Sequence, residues 1–284
     1  MGDKHWKKPA AEALRVREDF RLADVDPGST PGYTGDKAKA EKHLAKDLPR
    51  LADMQERLFA ASHVGNASDS VLLVLQAMDT AGKGGIVRHV VGGVDPQGVA
   101  LVAFKKPTPE ELEHDFLWRI RKELPPPGFI GVFDRSHYED VLIGRVRQLA
   151  PAEEIERRYQ AINEFEQEIV NAGTRIIKVM LYISRDEQRE RLTKRLDRPD
   201  KHWKFNPGDI DERQRWDDYM SAYQTVFDRT ATAHAPWFVV PADHKWYARL
   251  AVQELLFDTL DTIDPQWPVA DFDVDEQRRR LANS

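Results

Sequence analysis

The chain has no cysteine among its 284 residues. This excludes disulfides, thiolate nucleophiles and cysteine-ligated metal centres, and it fits a reducing compartment. Long apolar runs are missing too. No segment approaches the roughly 18 apolar residues of a membrane span, and the opening MGDKHWKKPAAEALRV lacks the apolar core, about 7–15 residues long, of a secretory signal. There is no excess of positive charge: 42 Lys and Arg face 48 Asp and Glu, a formal net charge of -6, which argues against a general nucleic-acid binder. The nine histidines form no H-x-x-x-H or H-x-x-E-H spacing, so no zinc site is expected. Internal repeats and long low-complexity tracts are also absent. Together these absences predict a soluble cytoplasmic protein with neither a membrane nor a nucleic acid as partner.

The residues present suffice for one sizeable core, since 41% are hydrophobic. Residues 1–37 read as an irregular, extended N-terminal arm, because DPGSTPGYTGD at 26–36 is dense in turn formers. A helical stretch follows over about 38–63, with Leu44, Leu48, Leu51 and Leu58 at near-helical spacing and Pro49 as its candidate break point. Five short, Val- and Ile-rich runs then alternate with helical stretches, at 71–78, 98–104, 129–134, 175–184 and 237–242. They are continuous rather than alternating, as strands buried on both faces are. Thr108-Pro109-Glu110-Glu111 and Ser184 with Glu187 are capping boxes, while Pro151 opens a helix that Gly173 ends. The pattern predicts an α/β domain over 38–268 with a five-stranded parallel sheet, followed by a polar tail at 269–284. Ligands in such sheets bind beyond the C-terminal strand ends.

The first strand runs into QAMDTAGKGGIVRHV, residues 76–90. This is close to the phosphate-binding pattern G-x-x-x-x-G-K-[ST], with Gly82 and Lys83 in register. Ala77 replaces the first glycine, Gly84 replaces the Ser/Thr that would serve magnesium, and an acid, Asp79, stands inside the loop. Small residues at Ala81, Gly82, Gly84 and Gly85 let successive N–H groups turn toward anionic oxygens, the following helix adds its positive end, and Lys83 adds a point charge. A glycine-rich turn can also be purely steric.

The third strand ends in FDRSHYEDVL. Asp134 sits where phosphate-binding-loop enzymes carry a magnesium-associated acid, although a helix cap would also use Asp. Two carboxylates beside one phosphate cradle repel unless a cation lies between them. Asp79 and Asp134 are therefore candidate ligands for Mg2+, with Mn2+ as an alternative.

The stretch RDEQRERLTKRLDRPDKHWK at 185–204 is a solvated helix in part, but Arg195, Arg198, Lys201 and Lys204 cluster where Pro199 must end that helix. This predicts a basic lid over phosphates at about 185–215. Lys105 and Lys106 directly follow the second strand and are candidate anion contacts. Arg119 reads as an ordinary surface charge from sequence alone. Trp203, Trp216, Tyr219, Tyr223 and Phe227 form a near-helical stripe that reads as packing rather than as a platform for bases.

In combination, QAMDTAGKGG, PTPEE at 107–111, FDRSHYEDVL, RLTKRLDRPDKHWKF at 191–205 and APWFVVPADHKWY at 235–247 resemble the family-2 polyphosphate kinases over about residues 32–260. The resemblance implies a thymidylate kinase-like, phosphate-binding-loop kinase fold with a helical lid. It implies a magnesium-dependent, reversible phosphoryl transfer from inorganic polyphosphate to ADP, and to AMP, with GDP as a further acceptor. It assigns Asp79 and Asp134 to the metal, Lys83 to the transferred phosphoryl group, and Arg135, Arg195 and Arg198 to the phosphates. Arg119 matches a family arginine and so joins the substrate-binding set, with Glu139 of the strand-end motif and Lys204 of the lid. Homo-oligomers, dimers or tetramers, are implied as well. SHYEDV and QAMD are most similar to the subgroup accepting both nucleoside mono- and diphosphates, although members of that subgroup often carry Asn where this chain has Asp134. An ATP-dependent nucleoside or nucleotide kinase is the alternative reading. It would share loop and lid but need a purine pocket on the donor side.

Overall fold

The five apolar runs form the strands of one parallel sheet in a computed structural model that describes residues 5–65 and 67–284. The strands are β1 (Ser70–Ala77), β2 (Val99–Ala103), β3 (Ile130–Asp134), β4 (Thr174–Tyr182) and β5 (Trp237–Pro241), in the order β2-β3-β1-β4-β5. β1 is central and pairs along its length with β4 and along Val71–Leu75 with β3. Its residues 71–75 are wholly buried, which explains why they read as a continuous apolar run. β2 is an edge strand that leaves Leu101 exposed.

The described residues form twelve α-helices: α1 (Ala10–Ala13), α2 (Lys37–His63), α3 (Lys83–His89), α4 (Pro109–Leu112), α5 (Trp118–Lys122), α6 (Ile143–Val146), α7 (Ala152–Asn171), α8 (Arg185–Leu196), α9 (Gly208–Gln214), α10 (Trp216–Thr230), α11 (Lys245–Ile263) and α12 (Val274–Ala282). α2, α3 and α11 pack together, and α6, α7 and α10 form a second group. This is the phosphate-binding-loop kinase fold. Among the described residues no helix is long and apolar enough to cross a membrane.

α2 does not break at Pro49; it continues for 27 residues. Pro49 lies on the exposed side, while Leu51, Met54 and Leu58 are buried, so packing offsets the lost N–H bond and the ring clash. The Thr108 capping box is present in both directions. At α8 only half a box forms: the Ser184 hydroxyl accepts from the Glu187 N–H, but the Glu187 carboxylate turns forward to Arg191. At the end of α7, Gly173 takes φ +101°, and a Cβ there would meet the Ser68 carbonyl at 2.2 Å, so only glycine fits.

The N-terminal arm folds back onto the domain. Trp6 bridges Tyr33, and both rings pack near Tyr247 or Trp246. Arg15 makes an antiparallel bridge to Phe238, with the Val16 N–H donating to Trp237 and the Val239 N–H to Leu14. The arm thus covers the free side of β5, an edge that would otherwise present unpaired backbone groups.

A buried polar network supports the turn after β3. The Lys178 ammonium on β4 donates to Glu166 of α7 at 2.6 Å, to the Tyr138 hydroxyl at 2.9 Å and to the Thr230 carbonyl at 2.8 Å. Burial works against the Glu166 carboxylate, but Lys178 and His137 hold its pKa below the usual range. Removing one member would leave a buried charge unpaired, at a cost of about 3–5 kcal/mol.

Candidate active site

The loop after β1 is built to present N–H groups. Gln188 on α8 donates to the Asp79 carbonyl at 3.1 Å, and Arg191 donates to the carbonyls of Thr80 at 3.1 Å and Ala81 at 2.8 Å. Arg191 also holds the carbonyls of Ala242 and Asp243 beyond β5. With three consecutive carbonyls tied back, the N–H groups of Gly82, Lys83 and Gly84 have no acceptor among the described residues. Such a concave run of donors suits anionic oxygens. Gly82 takes φ +131° and Thr80 φ 67°. The latter is costly for a β-branched residue, about 1–3 kcal/mol, and strain of this kind concentrates at functional sites. Arg135 has φ 66° immediately after β3, so both strand ends facing the site are strained.

A cavity of about 700 Å3 opens over this loop. Asp79, Ala81, Gly82, Lys83, Gly84, Gly85, Asp134, Arg135, Arg195, Arg198, Lys201 and Lys204 all line it, so twelve candidate residues of the sequence meet at one place. The Lys83 ammonium lies 3.4 Å from the Ala77 carbonyl and 3.9 Å from Asp134 Oδ1. Arg135 Nη2 lies 3.5 Å from Asp79 Oδ1. Each carboxylate therefore faces a cation from the other strand end. Two carboxylates and the buried Thr80 hydroxyl, which has no partner among the described residues, supply the hard oxygen donors that Mg2+ or Mn2+ prefers.

A second, smaller cavity of about 60 Å3 shares Asp79 and Arg135 and adds Glu139, Glu212, Tyr219 and Tyr223. Burial raises the pKa of Glu139, and Arg135 and Lys83 oppose that rise. Lys105, Lys106 and Arg119 line neither cavity. The two lysines are exposed. Arg119 is buried, donates to the Lys105 carbonyl at 2.9 Å and sits 3.8 Å from both Glu111 and Asp140. It is not the surface charge that sequence alone suggested.

The segment of the basic cluster, which borders the cavity, consists of α8, a 3-10 turn at Pro199–Lys204 and α9. Arg195 donates to the Lys204 carbonyl at 3.2 Å and lies 3.6 Å from Asp209. The aromatic stripe divides. Trp216, Tyr219, Tyr223 and Phe227 are buried on α10 as packing predicts, but Trp203 is 78% exposed.

Asp209, Arg88, Lys245 and Arg249 also line the large cavity and had not been singled out. Only the fold brings them there. Burial, then Asp79, pushes the Asp209 pKa up to about 6, against the pull of Arg195. The folded state thus binds this proton more tightly than the unfolded chain, whose ordinary value is 3.8. The resulting stability is full below the ordinary value and is lost as pH rises through about 6. Asp209→Asn is expected to unfold at a higher temperature than the parent at pH 8 and to converge with it near pH 4. Parallel pH profiles of the two melting temperatures would contradict this.

With the geometry in view, comparison with known proteins is informative. The family described as Polyphosphate kinase 2 (PPK2) matches residues 34–268. An AMP/ADP-polyphosphate phosphotransferase of Meiothermus ruber is 44% identical over 256 residues, covering 89% of this chain and 94% of that protein. An ADP-polyphosphate phosphotransferase of Rhodopseudomonas palustris is 40% identical over 270 residues, covering 88% and 92%. A crystal structure of Polyphosphate Kinase 2 from Arthrobacter aurescens TC1 superposes with a TM-score of 0.96 at 58% identity, covering 100% of both chains.

Proposed function

The chain belongs to the polyphosphate kinase 2 family, and from that premise we propose how its own residues divide the chemistry. The protein is a polyphosphate kinase, phosphorylating nucleotides at the expense of polyphosphate. One observation carries the assignment of the donor: eleven lysines and arginines line the large cavity against three aspartates, with no Phe, Tyr or Trp among the lining residues. A run of cations without an apolar slot suits a chain of phosphates, which has no base to recognise. It does not suit ATP as the donor, because ATP would need a purine pocket.

Asp79 and Asp134 would hold a divalent cation, magnesium or manganese, whose chemistry there would be to neutralise phosphate charge. Lys83 and the free N–H groups of the loop take the transferred phosphoryl group. Arg195, Arg198 and Lys204 close over the donor from the lid. Arg135 and Glu139, which border both cavities or the smaller one, position the acceptor, ADP and AMP. Because a terminal phosphate oxygen is already nucleophilic at neutral pH, no general base is required of the protein. Its contribution is to hold two polyanions in line and offset their repulsion. A homo-oligomer, dimeric or tetrameric, is carried over from the family resemblance, and a cytoplasmic location from the composition of the sequence.

The test is a coupled luminescence assay for ATP with purified protein, Mg2+, polyphosphate and either ADP or AMP. ATP from ADP is the expected result, and formation of ADP or ATP from AMP would extend the acceptor range. No product from polyphosphate, together with transfer to a nucleoside when ATP is supplied, would sink this reading in favour of the nucleoside kinase.

A further inference from the structure

α2 and α11 pack together, and at their seam three side chains converge that take no part in the site above. His43 and Asp47 lie one helical turn apart on α2, and Glu254 meets them from α11. The His43 imidazole is buried, with Nε2 2.5 Å from Glu254 Oε1 and 3.1 Å from Asp47 Oδ2. One ligand atom from each residue lies within 4.8 Å of the other two. None of the three lines the cavity over the loop.

A single imidazole nitrogen thus stands between two carboxylates. It carries at most one hydrogen, which cannot serve both acids fully. Further negative charge gathers on the same helix. Asp261 is balanced by Arg50 at 3.0 Å, but Asp258, one turn on from Glu254, has its pKa pushed up to about 6 by burial, then by Glu254 and Asp261. A divalent cation at the place of the shared hydrogen would neutralise both carboxylates at once.

The donor set selects among divalent ions. Magnesium prefers oxygen ligands and keeps several waters. One imidazole nitrogen with two carboxylate oxygens suits a transition ion, and zinc commonly takes three protein ligands and completes its shell with water. Zinc bonds of about 2.0–2.2 Å set tetrahedral ligand atoms about 3.3–3.5 Å apart, so Glu254 must draw back from His43 by about 1 Å. Turning the end of a partly exposed glutamate achieves that. Paired histidines are the usual sequence signal for such a site; here the third ligand lies 211 residues beyond the histidine, and only the fold supplies it.

We propose that His43, Asp47 and Glu254 form a structural binding site for a divalent transition-metal ion, zinc fitting best, that bolts α2 to α11. The site is distinct from the pair Asp79 and Asp134 and does not depend on the function proposed above. Binding needs Nε2 without its hydrogen and both acids ionised, so affinity falls as pH drops.

The test is a calorimetric titration of Zn2+ into the metal-stripped full chain, with Mg2+ in large excess to compete at Asp79 and Asp134. One zinc ion per chain is expected, with a rise in melting temperature. Asp79→Asn/Asp134→Asn should bind zinc as the parent does. His43→Ala, Asp47→Asn and Glu254→Gln should each weaken binding about tenfold or more and lose the rise in melting temperature. Should His43→Ala fail to fold, the two carboxylate variants decide, because their side chains are partly exposed and keep their size. A parent that binds no zinc overturns the proposal. So do carboxylate variants that bind as the parent does, or loss of binding in Asp79→Asn/Asp134→Asn alone.

Discussion

Lys83→Ala is expected to lower kcat for ATP formation from ADP and polyphosphate by about 10²–10³-fold, the usual cost of removing one fixed donor from a site of developing charge. The side chain is only 12% exposed, lies within 4 Å of Asp134 and points into a loop whose carbonyls are tied back to α8. Its charge therefore has little alternative use. The fold does not depend on it, because the Lys83 contact to the Ala77 carbonyl is long, at 3.4 Å. A melting temperature close to the parent's should accompany the loss of activity. A variant retaining more than a tenth of the parent's kcat would show that the N–H groups of Gly82, Lys83 and Gly84 suffice to hold the phosphoryl group.

Asp134→Ala should have an effect of similar size but a different signature. On the proposed assignment, removing one of two carboxylates would cost a divalent ion a ligand, so activity should fall about 100-fold or more. The Mg2+ concentration for half-maximal rate should rise as well. Asp134→Asn keeps an oxygen donor without the charge and should fall between parent and alanine variant. A titration of rate against Mg2+, run for all three proteins at fixed ADP and polyphosphate, checks this. If the three midpoints coincide, Asp134 serves Lys83 as a counter-charge and is not a metal ligand.

Much of this architecture was legible in the sequence because it rests on local rules. Each strand lies within two residues of the apolar run that predicted it, since burial on both faces leaves a continuous Val- and Ile-rich signature. The loop, the acid ending β3 and the basic lid each follow one strand, so strand order alone placed them together. What escaped was set by tertiary context. Arg88 and Lys245 fall within stretches the sequence marks out, but they and Arg249 belong to two helices more than a hundred residues apart in the chain, and only the fold brings the three to one cavity. Pro49 reads as a break because propensity ignores the face of α2 buried through Leu51, Met54 and Leu58. Arg119 shows the limit in the other direction. Sequence alone put it at the surface, yet it is buried, with its guanidinium hydrogen-bonded to the Lys105 carbonyl and 3.8 Å from Glu111 and Asp140.

The N-terminal arm carries a consequence for the order of events during synthesis. Leu22 donates its N–H to Gln224, 202 residues later, and Arg15 reaches the Ala233 carbonyl across 218 residues. The β5 segment that the arm covers ends at Pro241. The arm is thus made well before its partners and finds its place only after β5 is made, closing a very long loop when it docks. Chains halted before β5 leave both the arm and the outer side of β4 without partners, in the state most open to association with other chains. The arm acts as a checkpoint on synthesis: only a chain made through β5 can seal this edge of the sheet.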